Sequence, residues 1–167
     1  MSERSSRTAL DHFCQSVMKI FGLGYLRKPT VTDVEKLYRH HEENHGFSGM
    51  LESLKCTDWE WFGCPVAFKA QYDTRAHGPN PFILLEVVAS QDLWIWHAFF
   101  GVDGSNNGIN VLYQSPLFND LKTGRAPEIL LVANGVTYPW GYYLVDGIYP
   151  KLATLVTTIP EPADDDH

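Results

Sequence analysis

The chain has 167 residues, of which 44% are hydrophobic and 13% aromatic, so it can bury the core of one domain of ordinary size. Its formal net charge of −7 is unevenly placed: residues 1–81 hold ten basic and ten acidic side chains, and residues 82–167 hold three basic and ten acidic ones. DNA affinity rests on Lys and Arg contacts to phosphates, so the second half is a poor DNA-binding surface by itself. The apolar runs are too short for a membrane span, and the amino terminus has no signal-peptide pattern.

A first helix is predicted near the amino terminus. Apolar residues recur at three- and four-residue spacing over residues 10–21, the pattern of one helix face. Gly22 and Gly24 are expected to end this helix. With the helix that follows, it forms an expected helical region over residues 1–49.

A second helix is expected to begin at Thr32, because Thr32 and Glu35 have the spacing of a capping box, and to end at Gly46. Its last turn, residues 41–45, reads His-Glu-Glu-Asn-His and matches the H-E-x-x-H pattern of zinc peptidases, in which two imidazoles one turn apart chelate Zn²⁺. The alternative is a polar helix end whose imidazoles lie near the last carbonyls. We favour the alternative, because the helix ends at once and no third ligand follows at a recognised spacing.

From Met50 onward the pattern changes to strands. Residues 51–61 predict a first strand, and a polar loop follows to Pro81. Residues 82–89 and 93–102 are two apolar runs joined by three residues, the signature of a hairpin. The remaining predicted elements are a helix over residues 109–121, capped by Asn106 or Asn107 and ended by Gly124, and strands over 129–133 and 138–145 around an Asn134-Gly135 turn.

Four tryptophans lie in pairs on the predicted strands. Trp59 and Trp61 share one strand face, as do Trp94 and Trp96. Such rings can stack on single-stranded bases, but pairs at this spacing more often pack on the sheet. We therefore expect packing.

Residues 46–59 carry a resemblance to a known family. They read Gly-Phe-Ser-Gly-Met-Leu-Glu-Ser-Leu-Lys-Cys-Thr-Asp-Trp, and this is similar to the Gly-Phe-Pro-Gly-Met-Leu-Gly-Ser-Ile-Asp-Cys-Met-His-Trp strand of plant PIF/Harbinger-type DDE transposases, the plant transposon proteins. Further matching segments are Trp61, residues 64–67, 69–72, 85–90, 92–101, 104–107, 115–119 and the Tyr-Tyr-Leu-Val-Asp-Gly run that contains Asp146.

The resemblance implies an RNase H-like fold with a DDE triad that binds Mg²⁺. Asp146 matches the second catalytic acid, and it is our candidate catalytic and metal-binding residue. Lys55 stands where the family has its first Asp, and Gly108 stands where the family usually has another Asp. The third acid is expected beyond residue 167. A lysine ammonium repels a metal ion, and Asp58 is expected on the opposite strand face, so neither replaces the first Asp.

We therefore expect an α/β fold: a partial RNase H-like domain over residues 50–160, preceded by two helices and followed by an acidic tail over 161–167. The resemblance implies a transposase-derived protein, with nuclear DNA and a Myb-like companion as ancestral partners. Its departures from the family pattern at the catalytic positions predict that it is catalytically inactive. The alternative function is a domesticated protein-interaction module. Because the last helices and strand of the domain are expected to be absent, an uncovered edge or apolar face should favour self-association.

Overall fold

A computed structural model describes residues 2–72, 80–101, 107–124 and 129–158. Its helices and strands, in chain order, are α1 (Glu3–Tyr25), α2 (Val31–His45), β1 (Met50–Glu60), α3 (Val66–Tyr72), β2 (Phe82–Ala89), β3 (Ile95–Phe100), α4 (Gly108–Gln114), α5 (Asn119–Lys122), β4 (Leu131–Ala133), β5 (Val136–Tyr138), β6 (Tyr142–Val145) and β7 (Leu155–Thr157). Helices followed by a mixed sheet confirm the expected α/β class.

The main sheet has five strands in the order β3-β2-β1-β6-β7. β1 pairs antiparallel with β2, and β2 pairs antiparallel with β3 as the predicted hairpin. On its other side β1 pairs parallel with β6, which pairs parallel with β7. β4 and β5 form a separate two-stranded sheet. β1 is thus the middle strand, between the hairpin and the parallel pair.

One face of the main sheet is the core. Every second side chain of β2, beginning with Phe82, is buried, as expected for a strand with one covered face. α4 lies against β1 and β2 and contributes Val111 and Leu112 to this core. The largest buried cluster is Leu54, Val88, Leu112, Phe118, Val145, Tyr149 and Leu155.

The first helix is longer than predicted. α1 continues through Gly22 and Gly24 to Tyr25. A glycine ends a helix when it adopts the left-handed conformation. The described glycines with positive φ are Gly46, Gly49, Gly124 and Gly135, so Gly22 and Gly24 remain helical and do not end α1.

The predicted cap of the second helix is wrong by two residues. The Thr30 side chain accepts a hydrogen bond from the Asp33 backbone N–H, and the Asp33 carboxylate accepts one from the Thr30 backbone N–H at 2.8 Å. Arg27 also donates to Asp33 at 2.6 Å, and these hydrogen bonds hold the pKa of Asp33 well below its usual range. The predicted end at Gly46 is confirmed by its left-handed backbone.

Three further predictions about elements need correction. The helix predicted over residues 109–121 is broken at Ser115, which is extended because Pro116 disfavours the α conformation before it. The strand predicted over 138–145 is divided into β5 and β6, and the loop predicted before Pro81 contains α3. β7 was not predicted at all, and it pairs with the side of β6 that faces away from β1.

Some predictions lie outside the described residues: the Asn106 cap, the strand end at Val102, and the acidic tail over residues 161–167. The alternative cap, Asn107, is confirmed, because its side chain accepts a hydrogen bond from the Asn110 backbone N–H at 2.9 Å. No helix in the described ranges is long and apolar enough to span a membrane.

Candidate functional site

The two residues singled out by the sequence, Lys55 and Asp146, lie side by side on neighbouring parallel strands: Lys55 is in the middle of β1, and Asp146 directly follows the last residue of β6. Ser53 of β1 pairs with Leu144 of β6, so the residues two positions further along each strand lie side by side on the same face. The Lys55 Nζ donates a hydrogen bond to the Asp146 Oδ2 at 2.7 Å. Both side chains are well exposed, at 63% and 50%.

This pair does not fit a divalent ion of the Mg²⁺ kind. Mg²⁺ binds through oxygen ligands, and an ammonium group has three donors and no acceptor. The amine already occupies one side of the only carboxylate that the pair offers. The role of Asp146 as a catalytic and metal-binding residue therefore stays a prediction.

Asp58 does not replace the missing acid of β1. β1 pairs with β2 in continuous register from Ser53 to Glu60, without a bulge. Side chains alternate along a regular strand, so Asp58, three residues from Lys55, lies on the opposite face of the sheet.

The end of α2 contains a cluster of three histidines. The His41 and His45 rings lie one helical turn apart with centroids 5.8 Å from each other, and the His40 ring is 5.3 Å from His41 and 5.9 Å from His45. Their potential ligand atoms all lie within 4.8 Å of one another. The cluster differs from the zinc-peptidase pattern, which the sequence analysis already disfavoured, because its third imidazole precedes that pattern. Glu42 of the pattern accepts a hydrogen bond from the Ser48 hydroxyl at 2.7 Å.

His41 also faces a carboxyl group that the sequence analysis did not single out. Glu52 of β1 is only 4% exposed, and its Oε1 lies 3.4 Å from the Nε2 of His41, which is 5% exposed. Burial, together with the charge of Asp92, raises the pKa of Glu52 to about 7. Burial also lowers the pKa of His41, and the nearby His40 and His45 lower it further. The apolar residues around Glu52 in the sequence gave no signal that its carboxyl group meets a histidine from α2.

A second buried polar group lies between β2, β3 and α4. Glu86 is fully buried, and its Oε1 lies 2.9 Å from the Nε2 of His97. The Ser115 hydroxyl lies 3.1 Å from the same His97 nitrogen. A serine–histidine–acid triad uses both ring nitrogens, one toward each partner, so this arrangement is not that of a nucleophilic triad. In the sequence, Glu86 and His97 only interrupt two apolar runs, so the sequence gives no signal of their contact.

The tryptophans divide into packed and exposed rings. Trp94 stacks on Tyr25 with centroids 5.0 Å apart and lies 5.4 Å from Trp96, whose Nε1 donates a hydrogen bond to the Ser90 hydroxyl. The packing interpretation holds for these two rings. Trp59 is 56% exposed, so it is not part of the core.

The fold and this site define an α/β protein in which Asp146 lies at the carboxyl end of β6, the parallel neighbour of the central strand β1. Residues 23–167 match the family described as Plant transposon protein. Because this match covers most of the chain, the chain belongs to the plant transposon protein family. Comparisons with curated proteins and with solved structures found no match.

Proposed function

We propose that this chain derives from a PIF/Harbinger-type DDE transposase and does not cleave or join DNA. Membership of the plant transposon protein family supports the transposase origin. The order strand, hairpin, helix, and strand with a terminal Asp supports an RNase H-like catalytic domain, because this is the order that the resemblance implies. The observation that supports inactivity is the ion pair of Lys55 with Asp146, because the lysine cation contacts the carboxylate that would bind the metal.

The partners and location proposed for the chain are those that the family resemblance implies. DNA is the proposed partner, with a Myb-like companion protein and the nucleus as its setting, and Mg²⁺ is the ancestral cofactor. The basic residues are concentrated in the first half of the chain, so the proposed DNA contact lies there or on a companion.

We expect no nicking or joining when the purified protein is incubated with supercoiled plasmid and Mg²⁺ or Mn²⁺. Two-metal chemistry needs several converging acidic ligands, and Lys55 places a positive charge where one is required. The assay is gel electrophoresis of wild type beside Asp146→Ala and Asp58→Ala, whose altered residue lies on the other sheet face. Cleavage by wild type and by Asp58→Ala that disappears in Asp146→Ala would overturn the proposal.

A second candidate function is a protein-interaction module that forms complexes, including self-association. The observation that favours it is α1, a helix of 23 residues in which no side chain is buried. Its exposed large apolar side chains include Leu10, Phe13, Val17, Met18, Ile20 and Phe21. Exposed apolar surface of this extent on one element is typical of an interaction site.

For this candidate we expect the molecular mass from light scattering to rise with protein concentration. Replacing Phe13 and Met18 by serine removes apolar surface from an element without buried residues, so association should weaken while the fold is retained. Asp146→Ala is the matched control and should associate like wild type. A monomer at every concentration would argue against self-association.

A further inference from the structure

We propose that His40, His41 and His45 of α2, together with Glu52 of β1, bind a transition-metal ion of the Zn²⁺ class. This site is separate from the Lys55–Asp146 pair and does not depend on the proposed function. Three imidazole nitrogens and one carboxylate oxygen form a four-ligand set of the kind that Zn²⁺ accepts in tetrahedral geometry.

The first observation is the spacing of the histidines. His41 and His45 are one helical turn apart, the spacing that lets two side chains of one helix reach a common ion. His40 adds a third ring at the end of the helix. The potential ligand atoms of these three histidines lie within 4.8 Å of one another. In a tetrahedral zinc site, bonds of about 2.0–2.1 Å place ligand atoms roughly 3.3 Å apart. Closing this difference requires the histidine side chains to rotate, and His45 is exposed.

The second observation is independent of that spacing and concerns buried polar atoms. Within the described part of the chain, the ring nitrogens of His41 and the Oε1 of Glu52 make no hydrogen bond of good geometry, although the Leu51 backbone lies close enough to His41 to raise its pKa slightly against the lowering by burial. Their two side chains are 7% and 6% exposed, and the His41 Nε2 to Glu52 Oε1 distance is 3.4 Å. Buried polar groups in native proteins are almost always satisfied by hydrogen bonds, water or an ion. An ion held between His41 and Glu52 satisfies both groups at once.

The choice of metal follows from the ligand atoms. Imidazole suits Zn²⁺, Cu²⁺ and Ni²⁺, whereas Mg²⁺ and Ca²⁺ prefer oxygen ligands and more of them. Glu52 supplies the negative charge that three neutral imidazoles do not. Because α2 and β1 are joined only by the turn at residues 46–49, an ion here would link the end of the helix to the central strand of the sheet.

The experiment is titration of untagged, chelator-treated protein with Zn²⁺, followed by calorimetry and repeated with Mg²⁺. We expect one Zn²⁺ per chain, no comparable Mg²⁺ binding, and visible absorption bands of a tetrahedral complex when Co²⁺ replaces Zn²⁺. Zinc at 100 times its dissociation constant should raise the melting temperature by roughly 5–10 °C. Absence of Zn²⁺ binding by the folded protein would overturn the proposal.

Variants identify the ligands. His45→Gln and Glu52→Gln should each weaken Zn²⁺ binding at least about tenfold, because each removes one ligand from a four-ligand site. His45 is exposed, so the fold of its variant should persist even if Glu52→Gln proves unstable. The matched control is His12→Gln, an exposed histidine of α1 outside the cluster, which should bind like wild type. Equal affinity in wild type and His45→Gln, or equal loss in His12→Gln, would contradict this site.

Discussion

Replacing Leu54 by alanine is expected to lower the free energy of unfolding by about 2–5 kcal/mol, the range for large-to-small substitutions in a core. Leu54 is 2% exposed on β1 and belongs to the largest buried cluster, with Val88 from β2 and Val145 from β6 on either side. Alanine would leave a cavity at the junction of the antiparallel and parallel parts of the sheet. The total free energy of unfolding of a native domain is about 5–15 kcal/mol, so this loss is a large fraction of the stability.

The measurement is urea unfolding followed by tryptophan fluorescence and circular dichroism. The matched control is Ser53→Ala, the preceding residue of β1, whose side chain is exposed on the opposite face and should change stability by no more than ~0.5 kcal/mol. If Leu54→Ala and Ser53→Ala unfold at the same urea concentration, the cluster around Leu54 is not the core of the fold.

The elements that the sequence predicts well are those in which one local pattern dominates. β2 and β3 follow from two apolar runs and a short connection, and the end of α2 follows from Gly46, which takes the left-handed conformation that glycine tolerates. β7 has only three residues, Leu155–Thr157, and forms by pairing with β6. Such a strand is set by its neighbour in space and has almost no signal in its own sequence.

Competing local signals explain the errors at helix ends. Two threonines, Thr30 and Thr32, each precede an acidic residue by three positions. Thr30 is the cap because Asp33 is also held by Arg27, a contact that sequence spacing alone does not reveal. Gly22 and Gly24 were expected to end α1, but glycine lowers helix stability by only about 1 kcal/mol per residue and the helix continues through both.

The two polar sites differ in how far the sequence predicts them. Lys55 and Asp146 come from the family resemblance, and strand parity is enough to place them on one face once β1 and β6 are neighbours. The contact of His41 with Glu52 joins a helix to a strand, so it depends on how α2 packs on β1. The H-E-x-x-H pattern did draw attention to two of the three clustered histidines, although for a different chemistry.

Lys55→Asp is expected to create Mg²⁺ binding beside Asp146, with a dissociation constant on the order of millimolar, the range for weak sites with few carboxylates. The substitution replaces an ammonium 2.7 Å from the Asp146 carboxylate by a second carboxylate on the neighbouring strand. Two carboxylates side by side on neighbouring strands can share one ion whose remaining positions are filled by water. We expect no DNA cleavage by this variant, because two-metal catalysis needs further acidic ligands.

Calorimetry with Mg²⁺ is the test, since this ion does not favour the imidazoles of the α2 cluster. Lys55→Asp both removes a positive charge and adds a carboxylate ligand, whereas Lys55→Ala only removes the charge. Lys55→Ala should therefore bind Mg²⁺ at least about tenfold more weakly than Lys55→Asp. Adding Asp146→Ala to Lys55→Asp should abolish the new binding, because only one carboxylate then remains at this solvent-exposed position. Identical Mg²⁺ binding by wild type and Lys55→Asp would show that positions 55 and 146 do not form a shared site. Asp146 would then no longer be a candidate metal ligand.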